Sequence, residues 1–507
     1  MTRPHWSKLA ALLGLVALVA TACMPGVLAT SGNTPSPTVT VDVTDLFNQA
    51  VTWKPCDDVA RGAECATIKA PLDWDQPDGD TIDIAMARLV AAKPDQRVGS
   101  LLLNPGGPGG SGIGFLDYFS SLAGQGVLDS FDVIGFDPRG VGDSSAVVCF
   151  TTTQELDDFY AVDWPVTPEG FAESAEIVRP FVEACDQNTG PLLGHVDTDS
   201  SAKDMDLIRA VLGDQELYYV GYSYGSQLGA AYAELFPDNV GRLVLDGAVD
   251  PSLPSSEHDL AQATGFQQAL GAYVDDCLGK SGCPLTGSKD AALNQIHELL
   301  VSIAAKPLPG DGQRELTLPL ALNGLLVTMY EDSAWFMLTT ALGQALKGDG
   351  IGLLMLSDIY LDRDDTEGYT TNQMEAFVAI GCLDSRAPAD LASAQAQADR
   401  LIKAAPTFGE FWGFSEKLCD QWPYPQVGEP KAVTAAGAAP ILVIGTTGDP
   451  ATPFAWAQAL ADQLESGVLL TYEGHGHTAY GRSNSCVNEV VDAYLVDGAV
   501  PGDGKVC

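Results

Sequence analysis

Leu217-Tyr218-Tyr219-Val220-Gly221-Tyr222-Ser223-Tyr224-Gly225-Ser226-Gln227-Leu228-Gly229 is the stretch that decides how this chain is read. Leu217 to Val220 is a short apolar run ending at a glycine, the pattern of a buried strand. From Ser226 to Phe236 the spacing becomes helical. Between the two, Gly221 and Gly225 bracket a serine. A strand that turns sharply into a helix holds the residue at the turn in a strained backbone. Side chains at the flanking positions would collide with the neighbouring strand and helix, so both must be absent. A lone GxSxG is a weak signal in a glycine-rich chain, where it can be a harmless turn. Its strand-turn-helix setting makes Ser223 the candidate nucleophile.

Working outward, Leu101-Leu102-Leu103-Asn104-Pro105-Gly106-Gly107-Pro108-Gly109-Gly110 ends a strand in a bare glycine loop. A serine that attacks a carbonyl needs N–H donors aimed at the developing oxyanion. Gly107, with Gly106 next, can supply one from this loop, and Tyr224, the residue after the nucleophile, the other. The loop could also be a tight turn; a nucleotide-phosphate loop would need a following Lys-Ser/Thr, which is missing. Downstream, Gly445-Thr446-Thr447-Gly448-Asp449-Pro450 follows one apolar strand and Gly474-His475-Gly476-His477-Thr478 follows the last. Only His475 and His477 lie beyond Asp449, whereas His258 and His297 fall in a helical interval, His195 precedes the serine and His5 is in the leader. We assign His477 as the base in preference to His475. Asp449 is the acid that orients it, and Asp246 is a competing acid better suited to tethering a turn. His477 then takes the serine proton during attack and returns it to the leaving group, and Asp449 stabilises the imidazolium. No metal and no cofactor are called for; the two histidines lack carboxylate or thiol neighbours at ligand spacing.

Apolar runs bounded by glycine, proline or aspartate recur at Ser100–Asn104, Asp132–Asp137, Leu217–Gly221, Arg242–Asp246, Ile441–Gly445 and Val468–Tyr472. Helical stretches such as Ala202–Leu212 alternate with them, as a parallel α/β sheet requires. The rhythm breaks between about Pro251 and Lys431. Helical patterns fill that interval (Gln262–Cys277, Asp290–Ala304, Leu320–Tyr330, Trp335–Leu346, Asn372–Ile380, Leu391–Ala404) without a strand series. The expectation is a mostly parallel α/β sheet, its first part at 45–250 and its last at 432–507, with an inserted helical cap or lid at 251–431.

With 507 residues, 46% hydrophobic and 18% charged, the chain is long and apolar enough to bury a large core. Its net charge of -41 argues against nucleic acid or a bare anionic membrane as partner. Arg3 and Lys8 precede an apolar run from Leu9 to Ala20, too short to span a membrane but suited to an export signal over 1–22. Cys23 after small residues also fits a bacterial lipidation site, although the usual leucine three residues earlier is absent. Acylation would anchor the chain to the outer face of the cytoplasmic membrane; without it the product is simply secreted. Residues 23–44, rich in Ser, Thr, Pro and Gly, read as a flexible tether. Setting Cys23 aside leaves ten of the eleven cysteines: Cys56, Cys65, Cys149, Cys185, Cys277, Cys283, Cys382, Cys419, Cys486 and Cys507. Five local disulfides between neighbours in sequence are the economical arrangement for an oxidising compartment.

These motifs resemble those of the actinobacterial tripeptidyl aminopeptidase and proline iminopeptidase-like hydrolases of the α/β-hydrolase fold. The resemblance rests on Gly221 to Gly229, Phe236-Pro237, Arg242 to Gly247 and Asn104 to Gly109. Gly445 to Pro453 and His477 to Gly481 are similar to the C-terminal module of that family. It implies an exported serine peptidase of the cell envelope or medium, acting on a peptide or protein substrate and releasing short N-terminal peptides. A carboxylesterase or thioesterase with the same residues is the rival, and an idle envelope-binding lipoprotein the third reading. For a peptide with a free N-terminus, a carboxylate should meet the ammonium group; Glu375 and Asp384 are the candidates.

Overall fold

The computed structural model describes residues 42–507 except 57–58, 387–389 and 415–416. The expected leader, Cys23 and nearly all of the expected tether lie outside the described residues. The tether's last two positions are already helical: Val43–Phe47 forms a short helix whose N-cap, Asp42, accepts the Thr44 N–H.

Five of the six apolar runs lie wholly within strands of one ten-stranded sheet, and the sixth, Asp132–Asp137, overruns its strand by one residue. In chain order its members are β1 (Lys54–Pro55), β2 (Glu64–Pro71), β3 (Thr81–Leu89), β4 (Gly99–Asn104), β5 (Phe131–Phe136), β6 (Leu217–Tyr222), β7 (Val240–Asp246), β8 (Ile441–Gly448), β9 (Gly467–His475) and β10 (Lys505–Val506). They are arranged β1-β2-β3-β5-β4-β6-β7-β8-β9-β10. From β5 to β10 every pairing is parallel. Every residue of β4 and β5 is buried, because helices cover both faces, and that is why these strands read as unbroken apolar runs. The antiparallel edge reads differently. β2 pairs with β3 from Glu64↔Arg88 to Pro71↔Thr81. One face of β2 is partly solvated, so Ile68 and Ala70 alternate with exposed Thr67 and Lys69.

Ile113, Leu116 and Phe119 of the helix Gly112–Leu122, together with Val487, Val491 and Leu495 of Ser485–Asp497, pack on one face of the sheet. On the other lie Met205 and Ile208 of Thr198–Val211, Leu228 and Tyr232 of Tyr224–Leu235, and Leu460 of Phe454–Gln463. Arg139, wholly buried, locks the antiparallel edge to the helix Thr198–Val211. Its Nε and Nη2 each donate to Asp204 at 2.7 Å, and its remaining donors reach the carbonyls of Pro71, Leu72 and His195.

Between β7 and β8 the chain is helical, from Ser255–Leu278 to Leu391–Ala404, interrupted by two two-stranded hairpins. This insertion has a core of its own around Phe266, Leu270, Ile296, Leu342 and Leu354. Its helix Gln373–Asp384 touches that core only at its start, through Met374, while Ala376, Ala379, Ile380 and Leu383 are built into the core beneath the sheet. The five disulfides are Cys56–Cys65, Cys149–Cys185, Cys277–Cys283, Cys382–Cys419 and Cys486–Cys507, each joining neighbours in sequence. They fit an extracellular or cell-envelope protein. Among the described residues no helix is long and apolar enough to cross a membrane.

Candidate active site

Ser223 stands between β6 and the helix Tyr224–Leu235 with φ 56° and ψ −124°, a conformation that side-chain-bearing residues rarely adopt. Its N–H donates to the Asp246 carbonyl at the end of β7 (2.8 Å). The Tyr219 hydroxyl donates to Gly225 O (2.8 Å). A Cβ at Gly221 would lie 2.2 Å from that same oxygen, so only glycine lets strand and helix meet this closely.

The glycine loop after β4 leans on this turn. Gly106 has φ +99°, and a Cβ there would stand 2.9 Å from Ser223 Cβ and 3.2 Å from Tyr224 N. Its own N–H is donated to Asn104 Oδ1 (2.9 Å). That corrects its place as second oxyanion donor, because a committed N–H cannot also serve a substrate. The Gly107 N–H makes no hydrogen bond among the described residues. Tyr224 N–H is at the first position of its helix, where no preceding turn supplies an acceptor.

Asp449 is buried at the end of β8 and His477 is buried just beyond β9. His477 Nδ1 lies 2.9 Å from both Asp449 carboxylate oxygens. Asp449 Oδ1 also accepts the N–H groups of Ala451 (2.9 Å) and Thr452 (2.8 Å). Its Oδ2 accepts the Thr452 hydroxyl (3.0 Å) and the Thr478 N–H (3.2 Å). The His477 N–H donates to Tyr330 O (2.8 Å), and the two rings meet edge to face at 5.3 Å. His475 is exposed and stands 5.9 Å from the Trp335 ring, so it is His477 that Asp449 holds. The Asp246 carboxylate hydrogen-bonds neither histidine; it accepts the Ala479 and Tyr480 N–H groups. Among the described residues no cluster of three or more His, Cys, Asp or Glu could hold a metal ion.

A cavity of about 300 Å³ opens at Gly107, Pro108 and Ser223 and runs along one face of the helix Tyr224–Leu235. Asp197, Asp199, Glu234, Asp250, Asp384 and Glu429 line it against a single lysine, Lys431. Asp384 accepts the Thr198 N–H (2.9 Å) and hydroxyl (2.5 Å), and that hydroxyl lies 2.6 Å from the Tyr224 hydroxyl. Burial pushes the Asp384 carboxyl up to about 7. Asp197, Thr198 and Asp199 drew no attention in the sequence. Asp197 is the N-cap of its helix, accepting the Ser200 N–H, and that signature announces a helix start rather than a cavity wall. Thr452, whose hydroxyl also lies 3.3 Å from His477 Nδ1, was equally unmarked.

Glu375 is a second correction. It does not line the cavity; it is buried, and its Oε1 accepts the N–H groups of Cys149 (2.8 Å) and Phe150 (3.1 Å). Burial pushes its carboxyl up to about 7. With the folded value above the ordinary one, the folded protein binds the extra proton, so stability falls as pH rises from about 4.5 through 7. Glu375→Gln keeps an acceptor for both amides and removes the buried charge. Thermal unfolding at pH 8 should find it at least as stable as the parent, by up to about 2 kcal/mol, with the advantage vanishing near pH 5.

A family model described as TAP-like protein matches residues 405–507. The chain is 38% identical to serine protease Hip1 of Mycobacterium tuberculosis over 91% of each chain. It is 36% identical to carboxylesterase B of the same organism, covering 88% of this chain and 86% of that one. To the tripeptidyl aminopeptidase of Streptomyces coelicolor it is 30% identical, over 90% of this chain and 86% of that one. Among solved structures, proline iminopeptidase of Mycobacterium smegmatis matches with a TM-score of 0.34 and 14% identity, over 85% of this chain and 98% of that one.

Proposed function

From the premise that this chain belongs to the α/β-hydrolase family of serine protease Hip1 and the tripeptidyl aminopeptidases, and is a serine hydrolase, we propose that it is an exported aminopeptidase releasing short, tripeptide-like N-terminal peptides. In this reading Ser223 attacks the scissile carbonyl while His477 takes its proton, oriented by Asp449 through Nδ1. The N–H groups of Gly107 and Tyr224 receive the oxyanion. His477 then protonates the departing amine, and a water activated by the same imidazole hydrolyses the acyl-enzyme. The helical insertion acts as the lid that closes over this chemistry, and the five disulfides support export.

One observation carries the peptide assignment: the cavity that begins at Ser223 is walled by six carboxylates and one lysine. Such a wall attracts a cationic N-terminus. Asp384 is the carboxylate proposed to receive it, with the hydroxyl of Thr198 holding it in place. An ammonium group needs Asp384 ionised, so with its carboxyl near 7 the affinity for a free tripeptide amide should be greatest between that value and the α-amino pKa of about 8, and decline as pH falls through 7. Asp384→Asn should raise KM for the free tripeptide amide about tenfold or more at pH 8 and flatten that pH dependence, with an N-acylated tripeptide amide little affected. Equal effects on both substrates would remove Asp384 from this role.

The deciding experiment is turnover of fluorogenic single-residue, dipeptide, free and N-blocked tripeptide amides and short-chain esters by the purified protein and by Ser223→Ala. Ser223-dependent cleavage of the free tripeptide amide alone supports the proposal; cleavage of blocked peptides would point to an endopeptidase instead. Turnover of esters alone would favour the second reading, a carboxylesterase, to which the likeness to carboxylesterase B gives weight.

A further inference from the structure

We infer that Asp246 is a positioning residue for catalysis, holding nucleophile and base in register from a single point at the end of β7. The inference rests on the roles proposed for Ser223 and His477.

Two bonds of one residue make the case. Its main-chain carbonyl accepts the N–H of Ser223 (2.8 Å), which fixes the backbone of the strained turn. Its side chain reaches the other way. Both carboxylate oxygens lie 3.0 Å from the Ala479 N–H, and Oδ2 accepts the Tyr480 N–H at 2.7 Å. Ala479 and Tyr480 lie two and three residues after His477, so the loop that carries the base is anchored to the residue that anchors the nucleophile. A rigid link matters here because a misplacement of about 1 Å between reacting groups can cost on the order of a hundredfold in rate.

The residue is also an electrostatic partner. Asp246 is 0% exposed, and a buried carboxylate needs compensation. Burial pushes its carboxyl up to about 6; the Tyr480 and Ala479 amides and the neighbouring His477 oppose that rise, and Asp449 adds to it. Tyr222, on the adjoining strand, feels the same charge. The groups facing His477 are thus Asp449, Asp246, the Thr452 hydroxyl and the Tyr330 ring. A carboxylate that hydrogen-bonds the loop rather than the imidazole still favours the imidazolium formed during attack. Next to β7, Gly247 leaves room for the arrangement: its φ is +62°, and a Cβ there would lie 3.2 Å from His477 Cε1.

Asp246→Asn, nearly the same size, keeps one acceptor but turns an amide NH2 towards backbone N–H groups and removes the charge. We expect a melting temperature within a few degrees of the parent and kcat lower by roughly 10- to 100-fold, with KM changed less than about threefold. The acid limb of the kcat/KM profile should move to lower pH by about half a unit or more, because the imidazolium has lost a stabilising charge. A kcat within threefold of the parent overturns the proposal. So does a fall in kcat with the acid limb unmoved, which marks a purely structural residue. Ser223→Ala and His477→Ala are measured alongside: if either keeps full activity, the underlying assignment of the triad has failed instead. Should Asp246→Asn not fold, amide exchange across residues 476–482 of the parent decides. After correction for intrinsic rates, protection of Ala479 and Tyr480 should weaken between pH 8 and pH 5 as the carboxylate takes up its proton, and unchanged protection overturns the proposal.

Discussion

Ser223→Ala is expected to lower kcat for the free tripeptide amide by about 10⁴- to 10⁶-fold while leaving stability within about 0.5 kcal/mol of the parent. The rate loss follows from chemistry: without the hydroxyl no acyl-enzyme forms, and only the oxyanion donors and substrate binding remain to help water. The neutral stability follows from geometry. The strained φ of 56° at position 223 is imposed by the Ser223 N–H bond to Asp246 O and by the close glycines, none of which involves the side chain. Alanine inherits the same strain and forfeits no hydrogen bond made by the serine hydroxyl among the described residues. Steady-state kinetics with thermal unfolding of the same preparation tests both halves. A variant retaining more than about one per cent of the parent rate would remove Ser223 from the role of nucleophile.

That the strained turn at Ser223 could be picked from sequence reflects how much physics converges on it. A buried strand, two obligatory glycines and a following helix leave their marks within a dozen residues. All the parallel strands but the short, exposed Lys505–Val506 were legible for a similar reason, since burial writes a continuous apolar run, as in Leu101-Leu102-Leu103. The antiparallel edge escaped because alternation in β2 and β3, with Lys69 and Asp83 paired on the outside at 2.5 Å, breaks that run. The pairing of His477 with Asp449 was legible by order along the chain, but Thr452 was not: its hydroxyl matters only because folding brings it to both of them. The cavity wall was the least legible. Asp384 and Glu375 sit on one helix and are equally acidic in sequence, yet Asp384 lines the cavity and Glu375 turns inward to the amides of Cys149 and Phe150. That difference is set by how the helix Gln373–Asp384 seats on the core. Part of that seating comes from Gly109, where a Cβ would approach Gln373 O to 2.4 Å.

Asp449→Asn should differ from Ser223→Ala by damaging rate and stability together. The Asp449 carboxylate accepts from Ala451 N, Thr452 N, the Thr452 hydroxyl and Thr478 N besides facing His477 Nδ1, and it has no use for a donor. If the asparagine NH2 takes the place of Oδ1 it confronts the N–H groups of Ala451 and Thr452; in the place of Oδ2 it confronts that of Thr478. Either orientation leaves buried donors unpaired, at a cost of about 2–4 kcal/mol and a melting temperature several degrees lower. The rate suffers separately. An NH2 directed at His477 demands a lone pair on Nδ1, which places the imidazole proton on Nε2, the atom that must accept a proton from Ser223. A fall in kcat of about 10⁴-fold is therefore expected even at temperatures where the variant is fully folded. The two losses separate on cooling, because lower temperature restores the folded population without changing the tautomer. Recovery of activity on cooling would make Asp449 a structural residue only, whereas a persistent defect in folded protein assigns it to orientation of the base.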